Sequence, residues 1–299
     1  MNVAPVAIFV YRRAAHAARV IEALARNPDA SRTDLFIFSD AAKTAIIEPE
    51  VRAVRATLAE VRGFRSVVVV EQPRNLGIAR SIIAGVGELT SRFGQVIVLE
   101  DDLLPAPGFL AYMNEGLKLY AHDHRVVSIH GYSYPVIDPL PETFFLRGAD
   151  CWGWATWRRG WAVFEPDGPT LLGEIRQRGL DRDFDFDGSY AYTRMLEEQI
   201  AGQNDSWAVR WYASAFLRGM LTLYPGSSQV QNIGADGSGS HVGQTRAFAH
   251  EEWGAPVRVG GIPVEESIAG RAAFVRYFRS LRPSLPRRLL NRMARSVRG

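Results

Sequence analysis

The chain has 299 residues, 47% hydrophobic and 22% charged, which excludes an intrinsically disordered chain and leaves enough apolar side chains for one sizeable core. No apolar run approaches the roughly 18 residues of a membrane helix, and VAIFVY near the start is too short for a signal-peptide core, so a cytoplasmic location is expected. The net charge of +3 is uneven: residues 267–299 hold nine Arg and no acid, against 26 basic and 32 acidic residues before them.

The first 130 residues alternate short β-branched or aromatic runs with segments of helical period. Strands are expected at 6–11 (VAIFVY), 34–38 (DLFIF), 67–70 (VVVV), 96–99 (VIVL) and 126–129 (VVSI). Helices fall near 15–26, 50–62, 76–92 and 107–120, with Pro107 suited to a first helical turn. The order βαβαβαβαβ predicts an α/β fold, a Rossmann-like, mostly parallel sheet flanked by helices. After Gly131 the period is lost: prolines cluster at 135–141, and CWGWATWRRGW, residues 151–161, carries four of the seven tryptophans. Helical character returns at 190–201 and 207–219, and a strand-like LTLY at 221–224 leads into the loop NIGADGSGSH, residues 232–241. No internal repeat is visible. Cys151, the single cysteine, has no disulfide partner and reads as a small buried residue, and no Cys/His spacing of a zinc site is present.

In an open sheet of mostly parallel strands, ligands bind beyond the carboxyl ends of the strands. Arg12 and Arg13, Ser39 and Asp40, Arg74 and Asn75, and the triplet Glu100, Asp101 and Asp102 all fall there. Singly, each is also an ordinary helix cap or surface residue. The triplet is the most informative, because three adjacent carboxylates repel one another and a buried unpaired charge is costly. If extended geometry persists, Glu100 and Asp102 share one side and Asp101 the other. A hard cation, Mg²⁺ or Mn²⁺, takes one or two carboxylates and completes its shell with water and phosphate oxygens, so such a site would bind a nucleoside diphosphate. Solvation and capping of the helix beginning near Pro107 is the alternative.

The strand ending in EDD, followed by LLPAPGFLAYMNEGL, resembles the metal and donor segment of glycosyltransferases of the GT-A fold, closest to bacterial family 2 type enzymes and to N-acetylglucosaminyltransferase I. The similarity extends to VAIFVYRR, FIFSD, PRNLGIARSIIAGVGEL and HGYSYP, most of the first 135 residues. The resemblance implies that Asp40 contacts the nucleotide base, Asp101 approaches the ribose or donor sugar, and Asp102 is the main protein ligand of the metal. Arg12, Arg74, Asn75 and Glu100 join the donor site. Glu100 departs from the family's Asp-x-Asp at its first position. In GQNDSWAVRW, Asp205 resembles the Asp-x-Trp segment that holds the catalytic base, although Asn204, Asp205 and Ser206 are all good helix caps.

By the same resemblance His241 meets the metal or diphosphate, or is a solvent-exposed loop histidine; Gly237 and Gly239 would let that loop close over the donor. Trp152 and Trp154 form an acceptor platform or pack in the core. His122, Asp123 and His124 read as surface. In RPSLPRRLLNRMARSVRG, residues 282–299, Leu289, Leu290, Met293 and Val297 share one helical face among arginines, which fits an anionic membrane surface as well as it fits a loose chain end. The expected organisation is a nucleotide-sugar half over 1–135, an acceptor and catalytic half over 136–266, and a basic tail over 267–299. The expected activity is metal-dependent, inverting transfer from a nucleotide-diphosphate sugar, most simply a UDP-sugar. The acceptor is a saccharide or lipid-linked saccharide of bacterial surface-glycan synthesis, reached in the cytoplasm or at the inner face of the membrane, and nucleic acid is not an expected partner.

Three rivals remain. A sugar nucleotidyltransferase should carry a Gly-rich phosphate loop after the first strand, and VYRRAAHAAR has no glycine. A glycosidase needs carboxylates set across a scissile bond, which adjacent residues cannot provide. A non-catalytic sugar or nucleic-acid binder would use the tryptophans and the basic tail.

Overall fold

A computed structural model describes residues 3–237 and 245–281 of the chain. Its main feature is an eight-stranded sheet. The first half contributes β1 (Val6–Val10), β2 (Asp34–Ser39), β3 (Ser66–Glu71) and β4 (Gln95–Glu100), joined by helices α1 (Ala14–Ala25), α2 (Glu48–Ala59) and α3 (Ile78–Phe93). These strands pair in parallel in the order β3-β2-β1-β4. β1 is buried along its whole length and the interiors of β2 and β4 likewise, as expected of strands covered on both faces by helices. Alternation sends Val6, Ile8 and Val10 into a core under α1 and α2, and Ala7 and Phe9 into a second core under α3. Gly85 of α3 lets that helix sit directly on the stacked rings of Phe9 and Phe38.

The second half adds β5 (Leu103–Pro105), α4 (Phe109–Leu119), β6 (Val126–His130), β7 (Thr143–Arg147), β8 (Trp154–Trp157), β9 (Leu221–Pro225) and β10 (Val230–Asn232). Its helices are α5 (Arg158–Trp161), α6 (Gly168–Gln177), α7 (Asp181–Phe184), α8 (Tyr192–Ile200), α9 (Trp207–Leu217) and α10 (Ile268–Ser280). β8 pairs antiparallel with both β4 and β6, and the sheet continues through β9 to β7. The expected α/β sheet flanked by helices is therefore present, and every antiparallel pairing involves a strand of the second half.

Two expectations for that half need correction. WATW, inside the stretch where no period was legible, is the buried strand β8. Residues 268–280, placed in the basic tail, form α10, whose Phe274 and Phe278 are buried against Phe144 and Phe186. Two of its three arginines are partnered: Arg271 with Asp183, Asp187 and Glu266, and Arg276 with Asp138. Residues 282–299, with the expected membrane-facing helix, lie outside the described residues. No helix among the described residues is long and apolar enough to cross a membrane.

Candidate active site at the ends of the first and fourth strands

The order β3-β2-β1-β4 makes the gap between β1 and β4 the point where consecutive connections leave the sheet in opposite directions, the crevice in which open α/β sheets bind ligands. Parallel register sets Phe9 beside Glu100, so the chains leaving both strands start at the same level. One brings Arg12 and Arg13, the other Glu100, Asp101 and Asp102.

The triplet does not stay extended. The Asp101 amide still donates to the Phe9 carbonyl at 3.1 Å, but the chain turns at 101–102 so that β5 can pair with β10. The expected split of side chains to two faces is lost, and Asp101 and Asp102 both reach Arg13. Its guanidinium bonds both Asp101 oxygens and Asp102 Oδ2, the last at 2.9 Å. All three side chains are largely buried, at 17%, 7% and 21% exposed. The positive charge beside the triplet in this structure is therefore Arg13, whose Nη1 is itself buried without a partner.

Burial works against the arginine's charge, but the two carboxylates outweigh it and hold Arg13 more firmly protonated than usual. Burial likewise pushes the Asp101 carboxyl up, opposed by Arg13. Glu100 is pushed up to about 8 by burial, with Asp102 and Asp101 adding to it. The Arg13 charge opposes the repulsion among the three adjacent acids. Arg12 turns away and faces Glu50 at 3.6 Å on α2. The arginine of consequence is the second of the pair, which alternation along β1 did not single out because α1 starts directly after it.

Asp40 ends β2 and is buried, with its carboxylate fully engaged. Oδ1 accepts from the Ala41 and Leu76 amides, both at 2.9 Å, and Oδ2 from the Gly77 amide at 2.9 Å and Asn75 Nδ2 at 3.0 Å. Asn75 also donates to the Ala41 carbonyl at 2.7 Å. Asp40 and Asn75 thus shape the turn into α3, where Gly77 adopts φ +77. Arg74 is exposed on the same turn, with no ion pair among the described residues.

Asp205 is not the cap of α9. Ser206 is: its Oγ accepts from the Val209 amide at 3.2 Å. Asp205 is left 64% exposed, with Arg210 Nη2 at 3.7 Å as its ion-pair partner. Its Oδ2 lies 3.9 Å from where a Cβ on Gly77 would stand, so it stands beside the turn into α3 that Asp40 holds.

The late loop also arrives there. The Ile233 amide donates to the Asp102 carbonyl at 2.8 Å, and Gly234 packs so closely on the Asp102 side chain that any Cβ would collide with it. Asp236 pairs with His16 of α1 at 3.1 Å. His241 lies outside the described residues. Among the described residues no group of three or more His, Cys, Asp or Glu is arranged to hold a metal. The donors at hand are carboxylate oxygens, a set that suits Mg²⁺ or Mn²⁺ when a diphosphate and water complete the shell. Asp102 would have to exchange its bond to Arg13 for the ion.

The tryptophans separate. Trp154 is fully buried and packs among Trp161, Trp207 and Trp211, so it presents no face to a ligand and cannot be an acceptor platform. Trp152 is partly exposed, edge-on to Tyr132 and Phe248 at 4.8 and 5.5 Å, on the loop that leads into β8. That loop is held by His130, whose Nε2 accepts the Trp152 amide at 3.0 Å. Asp150 and Cys151 share it, and burial together with the charges of Asp150, Glu100 and Asp102 keeps the thiol protonated. No local sequence pattern marks Asp150, because it is β7 and β8 that place it.

No family model matches the chain. It is 28% identical over 184 residues to the alpha-1,3-mannosyl-glycoprotein 2-beta-N-acetylglucosaminyltransferase of Arabidopsis thaliana, a match covering 56% of this chain and 40% of that protein. The chain thus spans two fifths of the length of this curated relative. Among solved structures, a mannosyltransferase from Pyrobaculum calidifontis in complex with GDP-Man and Mn²⁺ aligns over 73% of this chain and 72% of that one, at 12% identity and a TM-score of 0.35, an overlay too loose to transfer any residue's role.

Proposed function

We propose that the chain is a glycosyltransferase of GT-A type, moving a sugar from a nucleotide-diphosphate donor to a saccharide acceptor in the presence of Mn²⁺ or Mg²⁺. The observation that carries this reading is the acidic turn Glu100-Asp101-Asp102 at the β1/β4 crevice, with Arg13 held against it. The likeness over 184 residues to a protein that transfers N-acetylglucosamine supports the same reading. Bound at Asp102, a divalent ion would stabilise the charge of a departing diphosphate.

The chain's own groups have distinct tasks in this reading. Asp102 supplies the protein ligand. Arg13, released from Asp102 and carrying an unpartnered Nη1, adds a fixed positive charge where diphosphate oxygens would lie. The Asp40 latch holds the turn before α3 in the shape that borders the nucleotide. Asp205, exposed and freed from capping by Ser206, takes the proton from the acceptor hydroxyl, which with a single displacement inverts the anomeric centre. A UDP-sugar donor, and a saccharide or lipid-linked acceptor of bacterial surface-glycan synthesis, are the substrates the family resemblance favours.

Asp205→Asn tests the assignment. Nucleotide-sugar binding should stay at the wild-type level while transfer falls about 100-fold or more, the usual contribution of a general base. Undiminished transfer would remove Asp205 from the mechanism. Failure of every nucleotide sugar to bind or turn over with the unaltered chain would remove the function itself.

A further inference from the structure

A hollow of about 500 Å³ lies apart from the acidic crevice, between the 134–140 segment, the turn at 226–228 and the 250–255 segment. Its lining combines an aromatic face, Trp253, with the polar groups of Ser227, His250, Asp138 and Glu252. Trp253 is partly exposed, whereas Trp154, Trp157, Trp161, Trp207 and Trp211 are buried. His250 Nε2 is buried with no hydrogen-bond partner. Burial lowers the imidazole's proton affinity, so His250 stays neutral there.

The walls are fixed by hydrogen bonds rather than left to loop motion. The Gly254 amide donates to the Ser228 carbonyl at 2.8 Å, and the Ala255 amide to Ser227 Oγ at 3.2 Å. Gln229 Nε2 bridges the carbonyls of Ser227 and Ala255 at 3.0 and 2.8 Å. Asp138 is steadied by Arg276 at 2.9 Å. An apolar ring face beside hydroxyl, imidazole and carboxylate groups matches a polyhydroxylated ring, which offers C–H patches to an aromatic and O–H groups to acceptors. A nucleic acid is disfavoured, because the carboxylates of Asp138 and Glu252 would face its phosphates.

Two connections tie the hollow to the crevice. His250 lies edge-on to Tyr132 at 5.3 Å, and Tyr132 edge-on to Trp152 at 4.8 Å, next in the chain to Cys151, whose thiol feels the charges of Glu100 and Asp102. The chain from Ser228 runs through β10 to Ile233 on Asp102, about 16 Å if fully extended. We propose that this hollow is a saccharide subsite, which binds a part of the acceptor remote from the reacting hydroxyl, with Trp253 as its stacking platform. It rests on the glycosyltransferase reading for its place in the reaction, and binding there raises acceptor affinity without touching the chemistry.

The test uses the full chain with a panel of di- to tetrasaccharides of glucose, galactose, mannose and N-acetylglucosamine, without nucleotide or metal, followed by saturation-transfer NMR. At least one should bind the wild type, lose binding in Trp253→Ala and keep most of it in Trp253→Phe. In the transfer assay, Trp253→Ala should raise the acceptor KM by about 2- to 13-fold, from loss of one aromatic face, with kcat and nucleotide-sugar Kd unchanged. No binding of any panel member at millimolar concentration, or equal binding by Trp253→Ala, overturns the subsite and leaves the glycosyltransferase reading intact. Saccharide binding that depends on Trp253 in a chain that binds no nucleotide sugar would keep the site and discard the enzyme.

Discussion

Replacing Arg13 by Met tests the electrostatics of the crevice more sharply than replacing any acid. The substitution keeps most of the side chain's length and removes its charge, leaving Asp101 and Asp102 adjacent, largely buried and uncompensated. Removing one partner of such a cluster costs about 3–5 kcal/mol. For a chain of this size each kcal/mol moves the midpoint by about 2–4 °C, so Arg13→Met should melt about 6–20 °C below the wild type in EDTA. The second half of the prediction is its rescue. Asp102 in the variant no longer has to leave an arginine to take an ion, so Mn²⁺ should raise the variant's midpoint more than the wild type's; at 100 times the variant's own Kd its total stabilisation is about 2.7 kcal/mol. Adding Asp101→Asn to Arg13→Met should recover part of the loss in EDTA. Differential scanning fluorimetry with and without Mn²⁺ reads all three. A variant that melts with the wild type in EDTA, or gains no more than it from Mn²⁺, would refute the placement of Arg13 as the resident countercharge.

Further outcomes follow from two other buried polar groups. Asp40→Ala removes the acceptor for four donors and should cost at least about 3 kcal/mol in urea unfolding, with Asp40→Asn intermediate because its amide end cannot accept. His130 is fully buried, and burial lowers its proton affinity against a smaller opposing pull from Asp150. The unfolded chain therefore binds the proton more tightly. Stability should be level above about pH 6.5 and fall below it by up to about 1.4 kcal/mol per pH unit until the folded imidazole also titrates, with His250 acting in the same direction. His130→Gln should flatten that slope, measured as unfolding free energy between pH 5 and 7.

The first half was legible because each strand is a run of β-branched or aromatic residues and each helix keeps its period. β4, read at 96–99, spans Gln95–Glu100, and α3, read at 76–92, spans Ile78–Phe93. In the second half long-range partners decide the structure. β8 is held on both sides by β4 and β6, and its tryptophans hid it among residues that read equally as binding aromatics. α10 looked like part of a basic tail because the acids that neutralise Arg271 and Arg276 stand far away in the sequence, at Asp183, Asp187 and Asp138.

At the site, convergence at strand ends was visible in advance and the fine geometry was not. The turn at Asp101-Asp102 exists because Leu103–Pro105 must meet Val230–Asn232, a pairing that nothing local announces. The choice between Arg12 and Arg13 depends on how the chain leaves β1 to start α1. Asp205 lost its alternative role as a cap only when Ser206 was found to fill it.

The most direct measurement is calorimetric titration of a nucleotide-sugar panel into the purified chain in Mn²⁺, again in EDTA, and again with Asp102→Ala. One donor should bind the wild type in Mn²⁺, with binding lost both in EDTA and in Asp102→Ala. Equal binding by Asp102→Ala, or no binding of any nucleotide sugar by the wild type in Mn²⁺, would contradict the assignment of the β1/β4 crevice as a metal-dependent donor site.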